Sequence, residues 1–352
     1  MGTPSLESNP LFPTTTIFIG NGFDLSLGLK SKYTDYFNHT GNDGNKDFWP
    51  IHDSYGEEEH LYKVLNGQTP ILGSSKRLNA DSTWFDLEDE LKKHAKRPSP
   101  KGREFVTQFK RSFHYDQNYF DEIRSGLKEY LKHEVEEWAK NRADSATSSP
   151  AYQMMYEVCV RASAEPNIVT FNYTDINSLL TKCKGNNSCD IYINPNKIQH
   201  VHGSLLEDHI ILGINEDKDV PMEYDFLFKS WDEHYNSHRV IDTLRNSQII
   251  IFFGLSFGSI DSVYFLDFFK SIIKGTYDRQ KKHIVICTYN ESSMRNIYRQ
   301  FFQMGISIME LKAHCDLNFL LTNPDNPNHH LKFENGKISQ WLYEWKDFTL
   351  DI

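Results

Sequence analysis

The sequence predicts an α/β protein, a doubly wound and mostly parallel sheet interrupted by a helical insertion, and three features carry that expectation. The first is residues 14–36, where the β-branched and aromatic run 16–19 reads as a short buried strand that passes into Gly20-Asn21-Gly22 and then an amphipathic segment. The second is the alternation of strand-like and helix-like segments from Ala151 onward. It is centred on Ile249-Ile250-Ile251-Phe252-Phe253-Gly254, apolar enough for a strand covered on both faces. The third is that the strands end in glycine-rich or polar sequences. Alternation of this kind builds a Rossmann-like sheet with its ligand crevice at the carboxyl ends of the strands.

Residues 1–13 are polar and proline-bearing and read as a flexible arm. The core is expected over 14–47 and 151–352, with the helical insertion over 48–150. After the glycine turn a helix is expected over 25–39, broken at Gly41-Asn42-Asp43-Gly44-Asn45. The insertion is rich in charge and aromatics at helical spacing. Trp84, Leu87 and Leu91 share one face behind the capping pair Asp81-Ser82. Ile123, Leu127, Tyr130, Leu131 and Trp138 line one side of a helix over 118–140, and Pro98, Pro100 and Gly102 open the segment between as a loop. A linker of small and polar residues, 142–150, leads back to the core. There the pattern predicts helix 152–162, strand 167–171, helix 175–182 and an edge strand over 191–193. A strand at 210–212 and a helical region over 223–246 follow, then strand 249–253 and helix 261–273. The last elements are strand 283–288, helix 294–304 and strand 307–311.

A chain of 352 residues, 39% hydrophobic, can bury a sizeable core. Its formal charge of −10 argues against a general affinity for nucleic-acid backbone. Five cysteines with no C-x-x-C pair point to a reducing compartment without structural zinc. With no apolar run of membrane-spanning length and no signal peptide, a cytoplasmic protein with no membrane partner is expected.

Four strand ends carry the candidate chemistry: G-N-G-F-D after the first strand, T-F-N-Y-T-D at 170–175, H-V-H-G-S at 200–204 and F-G-L-S-F-G-S-I-D at 253–261. A fifth, Cys287-Thr288-Tyr289-Asn290, ends in the same style. In a doubly wound sheet these ends converge. Together with W-F-D-L-E at 84–88 the first four resemble the AbiH family of bacterial phage-defence (abortive infection) proteins. More distantly, the series G-x-G, T-x-N-x-D, H-G and G-x-S resembles the NAD-binding core of sirtuins.

The sirtuin-like resemblance implies a phosphate loop at Gly20, Gly22 and Gly28, with Asn21 in it where sirtuins have alanine, while Asp24, not a sirtuin residue, is expected from its place in the first turn to cap the helix or hold a hydroxyl. The resemblance implies further nucleotide contacts at Gly203, Gly254 and Ser256 and catalytic roles for Asn172 and His202, and Asp261 and Asn290 are expected to join the site from their places at the converging strand ends. Asp175 sits one residue later than in the sirtuin pattern, and the four-cysteine zinc module of sirtuins is absent. The implied activity is therefore NAD+ hydrolysis in antiviral defence, with NAD or a related nucleotide as substrate and no metal. A phage-derived trigger and a homo-oligomer are the implied partners. A nucleotide-binding sensor without catalysis, or a nuclease or transferase using the same crevice, are the alternatives.

Breaking the nicotinamide–ribose bond passes through an oxocarbenium-like state, so the protein must grip the ribose, position water and accept a proton. An asparagine amide can orient a hydroxyl or water, and a histidine can take a proton. Simpler roles stand beside these: Asn172 as a helix cap, His202 as a core histidine, and His200 as its structural support or, paired with it, a metal ligand. Gly22→Val is expected to abolish ligand binding without unfolding. Asp86→Ala and Glu88→Ala are expected to alter turnover more than stability, and a His202 base to fail below neutral pH.

Overall fold

The computed structural model describes residues 14–41, 44–50, 61, 65, 87–96, 103–183, 191–235, 237–258, 260–276, 281–326 and 328–350. In chain order, strand β1 (Thr15–Ile19) is followed by helices α1 (Gly22–Ser26) and α2 (Tyr33–Asn38), then α3 (Leu87–Ala95), α4 (Arg103–Asn141) and α5 (Pro150–Tyr156). Strand β2 (Asn167–Thr170), helix α6 (Ile176–Lys182) and strand β3 (Ile198–His200) come next, and the short strands β4 (Gly203–Ser204) and β5 (His209–Ile210) make a hairpin. The chain closes with α7 (His238–Asn246), β6 (Ile249–Phe253), α8 (Ser262–Ile273), β7 (His283–Thr288), α9 (Glu291–Gln303), α10 (Ile308–His314), β8 (Asp316–Leu321) and α11 (Lys337–Leu350).

Six strands form one sheet in the order β3-β2-β1-β6-β7-β8, every pairing parallel. With the hairpin set aside this is the 3-2-1-4-5-6 order of dinucleotide-binding domains, whose direction of winding reverses between β1 and β6. The alternation of side chains along each strand covers both faces. Ile17, Ile19, Ile168, Ile249, Ile251 and Phe253 join Tyr152, Leu179 and Leu342 of α5, α6 and α11. Phe18, Val169, Ile250 and Phe252 join Leu244, Phe265 and Phe301 of α7, α8 and α9. A third apolar cluster ties Leu87, Leu91, Phe120 and Ile123 of α3 and α4 to Tyr173, Ile210, Leu212 and Tyr224. The helices that follow the glycine turn thereby reach the segment after β2 and the hairpin. Among the described residues no helix is long and apolar enough to cross a membrane.

Several elements differ from expectation, each for a local reason. The helix expected over 25–39 is split into α1 and α2 by Gly28, whose φ of 90° is left-handed, while the Leu27 carbonyl accepts the Trp138 indole N–H at 2.7 Å. Residues 191–193 are not a strand. Ile191 and Ile193 are buried in the core, and the Ile193 carbonyl accepts the Asn177 side-chain amide, so Pro195 intervenes before the edge strand β3. The 210–212 strand is reduced to the hairpin strand β5. The 223–246 region is α-helical only in α7, its earlier part being the 3₁₀ turns Met222–Leu227 and Lys229–Trp231. Residues 307–311 belong to helix α10, whose N-cap Ser307 accepts the Glu310 N–H, and the last sheet strand is β8.

Candidate functional site

At the switch point the loops after β1 and β6 interlock. The Gly20 N–H donates to the Phe253 carbonyl and the Gly22 N–H to the Gly254 carbonyl, both at 3.0 Å. A Cβ on Gly22 would lie 2.5 Å from Gly254 Cα, and Gly254 itself has a φ of 67°. The glycines therefore let two backbones touch, and two of the turn's N–H groups are spent on that contact. This corrects the expectation for Gly22→Val: backbone cannot yield as a side chain would, so the substitution should cost at least the ~1–3 kcal/mol typical of overpacking. Urea denaturation checks it, and native stability would contradict it. Beyond Gly254, Phe257 holds a left-handed φ of 53° while buried among Phe252, Phe265, Phe269 and Phe301. Ser256 stays exposed, its hydroxyl accepting the Gly258 N–H.

Beside this turn sits a buried polar network. Asp24, 2% exposed, accepts the Asn172 side-chain amide on Oδ1 at 2.7 Å and the Thr174 hydroxyl on Oδ2 at 2.8 Å. The same Asn172 Nδ2 donates to the Gly20 carbonyl at 3.2 Å. These bonds fix which way the amide faces and leave its acceptor, Oδ1, outside both of them. Asn172 is not the helix cap, because Asp175 caps α6 by accepting the Ser178 N–H. Burial pushes the Asp24 carboxyl up to about 7, against the smaller lowering effects of Thr174 and Asn172.

His202, 5% exposed, lies after β3. Its Nε2 is 3.3 Å from Lys229 Nζ and 3.4 Å from the Tyr264 hydroxyl, which in turn meets the Tyr235 hydroxyl at 2.7 Å. The imidazole also hydrogen-bonds the Phe171 backbone, which partly offsets the lowering of its pKa. Burial, with the Lys229 ammonium, holds the imidazole neutral well below the usual histidine range. The expected loss of a His202 base just below neutrality is corrected accordingly: its protonation limb moves to more acid pH. Lys229, 1% exposed, pairs with Glu88 of α3 at 2.9 Å. Glu88 also accepts the Gly213 N–H at 3.4 Å.

A family model described as Bacteriophage abortive infection AbiH matches residues 16–278. The chain belongs to the AbiH family. It is thereby assigned to anti-phage abortive infection defence. The matched region contains Asp24, Glu88, Asn172, His202, Lys229 and Tyr264, so both networks lie within the AbiH homology. No curated protein and no solved structure matches the chain.

The remaining positions of this AbiH protein are dispersed. Gly28 faces Trp138 of α4. Gly203 has a φ of 76° and abuts the His209 carbonyl in the hairpin. Asn290 uses its side-chain oxygen to cap α9 at Ser293, and Asp261 stands at the N-terminus of α8 close enough to raise Tyr173 and Tyr264. Asn21 binds Ser31 through its side chain. His200 ends β3, with its Nδ1 buried and unpartnered among the described residues. Asp86 lies outside the described residues. Sequence reasoning missed Thr174, Lys229, Tyr235 and Tyr264. Lys229 had a visible signal, a lone cation inside the apolar and aromatic run Phe226-Leu227-Phe228-Lys229-Ser230-Trp231.

Proposed function

We propose that this AbiH protein hydrolyses the nicotinamide–ribose bond of NAD+ or a related nucleotide. The observation that carries the reading is the Asp24–Asn172–Thr174 network, a buried carboxyl spent on orienting one amide at the carboxyl ends of β1 and β2. That is the edge of the crevice where a sheet of this strand order takes a nucleotide. In the reaction, water bonds to C1′ as the bond from C1′ to the nicotinamide nitrogen breaks. Nicotinamide leaves neutral with the electron pair of that bond, and the proton given up by water passes to a base. Asn172 Oδ1 accepts from the ribose hydroxyl or from the water, and Asp24 is its positioning residue. His202, kept neutral, packs its ring against Phe171, the neighbour of Asn172, and the sirtuin-like motif order supports its role as the proton acceptor.

A second reading rests on the donors already crowding His202 Nε2. With that lone pair occupied, the crevice serves a nucleotide-binding sensor that performs no chemistry. Incubating the purified protein with NAD+, with and without products of phage infection, separates the two. Nicotinamide release supports hydrolysis, and ADP-ribose or NAD+ binding without release supports the sensor.

Asp24 also makes a stability prediction. Its folded-state value of about 7 lies above the ordinary 3.8, so the protonated carboxyl favours the fold. That contribution is whole below pH 3.8 and is lost as pH rises towards 7. Asp24→Asn, uncharged throughout, should flatten the decline in Tm over this window. Melting curves across pH 4–8 check it, and an unchanged slope would contradict it.

A further inference from the structure

Outside both networks, two imidazoles and a carboxylate face one another on the surface of the hairpin. His209 opens β5, and its Nε2 lies 2.8 and 3.0 Å from the two carboxylate oxygens of Asp232. His234 Nδ1 lies 3.5 Å from Asp232 Oδ1, and the two histidine rings are 4.6 Å apart at their centroids. One ligand atom from each residue fits within 4.8 Å of the others. Three donors around a tetrahedral ion with bonds of about 2.0–2.1 Å sit roughly 3.3 Å apart, so closing this set on an ion needs only small side-chain movements.

The backbone is arranged for the purpose. Asp232 ends the turn Lys229–Trp231, and its Oδ1 accepts the His234 N–H at 3.0 Å, which fixes the carboxylate against the residue that supplies the third ligand. Side-chain exposure rises from 16% for Asp232 through 35% for His209 to 56% for His234. The far side of the triad is therefore open to water, as a three-ligand site with a vacant coordination position requires.

We propose that His209, Asp232 and His234 bind a borderline divalent transition-metal ion, Zn2+ or one of similar preference, with water completing its coordination. Imidazole with carboxylate is a donor set suited to Zn2+ and its first-row neighbours, whereas Mg2+ and Ca2+ favour oxygen alone. Such an ion would fasten two pieces of chain that meet at His202. The hairpin begins directly after His202 with β4, and the His202 carbonyl accepts the N–H of Ile211, the residue after β5. The Asp232 segment lies between Lys229 and Tyr235, which reach His202 directly and through Tyr264. The ion's role is thus to clamp the donors around His202, whatever reaction that residue serves.

The test uses the full chain, free of any histidine tag, dialysed against chelator and titrated with Zn2+ by calorimetry, with melting curves in parallel. One Zn2+ per chain is expected, together with a Tm that rises with Zn2+ concentration, because an ion that binds only the folded state stabilises it by mass action. His234→Ala and His209→Gln should each weaken binding by more than the ~10–100-fold that loss of an outer-sphere partner costs. His238→Ala, at an exposed neighbouring histidine, should leave binding intact. His234 is the most exposed of the three, so its variant keeps the fold and the comparison holds. Wild-type protein that binds no Zn2+, or binding equally tight in both ligand variants, would overturn the proposal. Neither outcome depends on whether NAD+ is cleaved.

Discussion

Replacing Lys229 by alanine is expected to cost about 3–5 kcal/mol of folding stability, the usual consequence of leaving one member of a buried ion pair alone. Lys229 and Glu88 are 141 residues apart in the chain, and their side chains meet where β-sheet core, hairpin and α3 come together. Deleting the ammonium strands the Glu88 carboxylate, and deleting the carboxylate strands the ammonium beside His202. Glu88→Ala should therefore be destabilising too, which corrects the expectation that it changes turnover more than stability. The double variant Lys229→Met with Glu88→Leu should lose much less than the sum of the single changes, because no orphaned charge remains. A urea-denaturation double-mutant cycle reads the coupling directly, and additive losses would show that the pair is not an energetic unit. Because Lys229 also supplies a donor to His202, the apolar pair should restore stability without restoring whatever depends on that donor.

Asn172→Ala and His202→Ala are each expected to lower NAD+ turnover by a large factor, about 10²–10⁴ for the histidine if it takes the proton. Asn172 carries the sharper expectation, since its amide is held by Asp24 on one side and presents Oδ1 on the other. Its removal also frees two donors' worth of acceptor capacity at Asp24 and Gly20, so some loss of Tm is expected alongside. Asn172→Asp keeps the size and the acceptor but loses the donor and sets a second carboxyl against buried Asp24, so it should lose more Tm than Asn172→Ala. Losses from Asn172→Ala and His202→Ala should be far from additive, since a misplaced ribose leaves the histidine nothing to act on. Full turnover in either variant would remove that residue from the mechanism.

How much of this was legible in the sequence depends on the range of the interaction involved. The strand into Gly20 and the run 249–253 are recognisable because a strand buried on both faces must be apolar at successive positions, and both lie at the centre of the sheet. The edge strand β3, Ile-Gln-His, has no such constraint, and the buried Ile191 and Ile193 nearby imitate one. Residues 307–311 are too few to separate a period of 2 from one of 3.6, although Ser307 followed by Glu310 three positions on is a helix-start signature. At the site, Asn172 and His202 were visible as polar residues at strand ends. Their partners were not, because Asp24 lies 148 positions from Asn172 and Lys229 is brought to His202 by an irregular turn that periodicity does not describe.

The crevice beside Gly20, Asn172 and His202 is proposed to cleave NAD+. The most direct measurement is nicotinamide release by purified wild-type protein and by Asn172→Ala, each supplied with NAD+ in the presence of phage-infection products. Release by the wild type, with a loss in the folded variant far larger than its fall in Tm explains, is the predicted result. A wild-type protein that binds NAD+ or ADP-ribose yet releases no nicotinamide would contradict it.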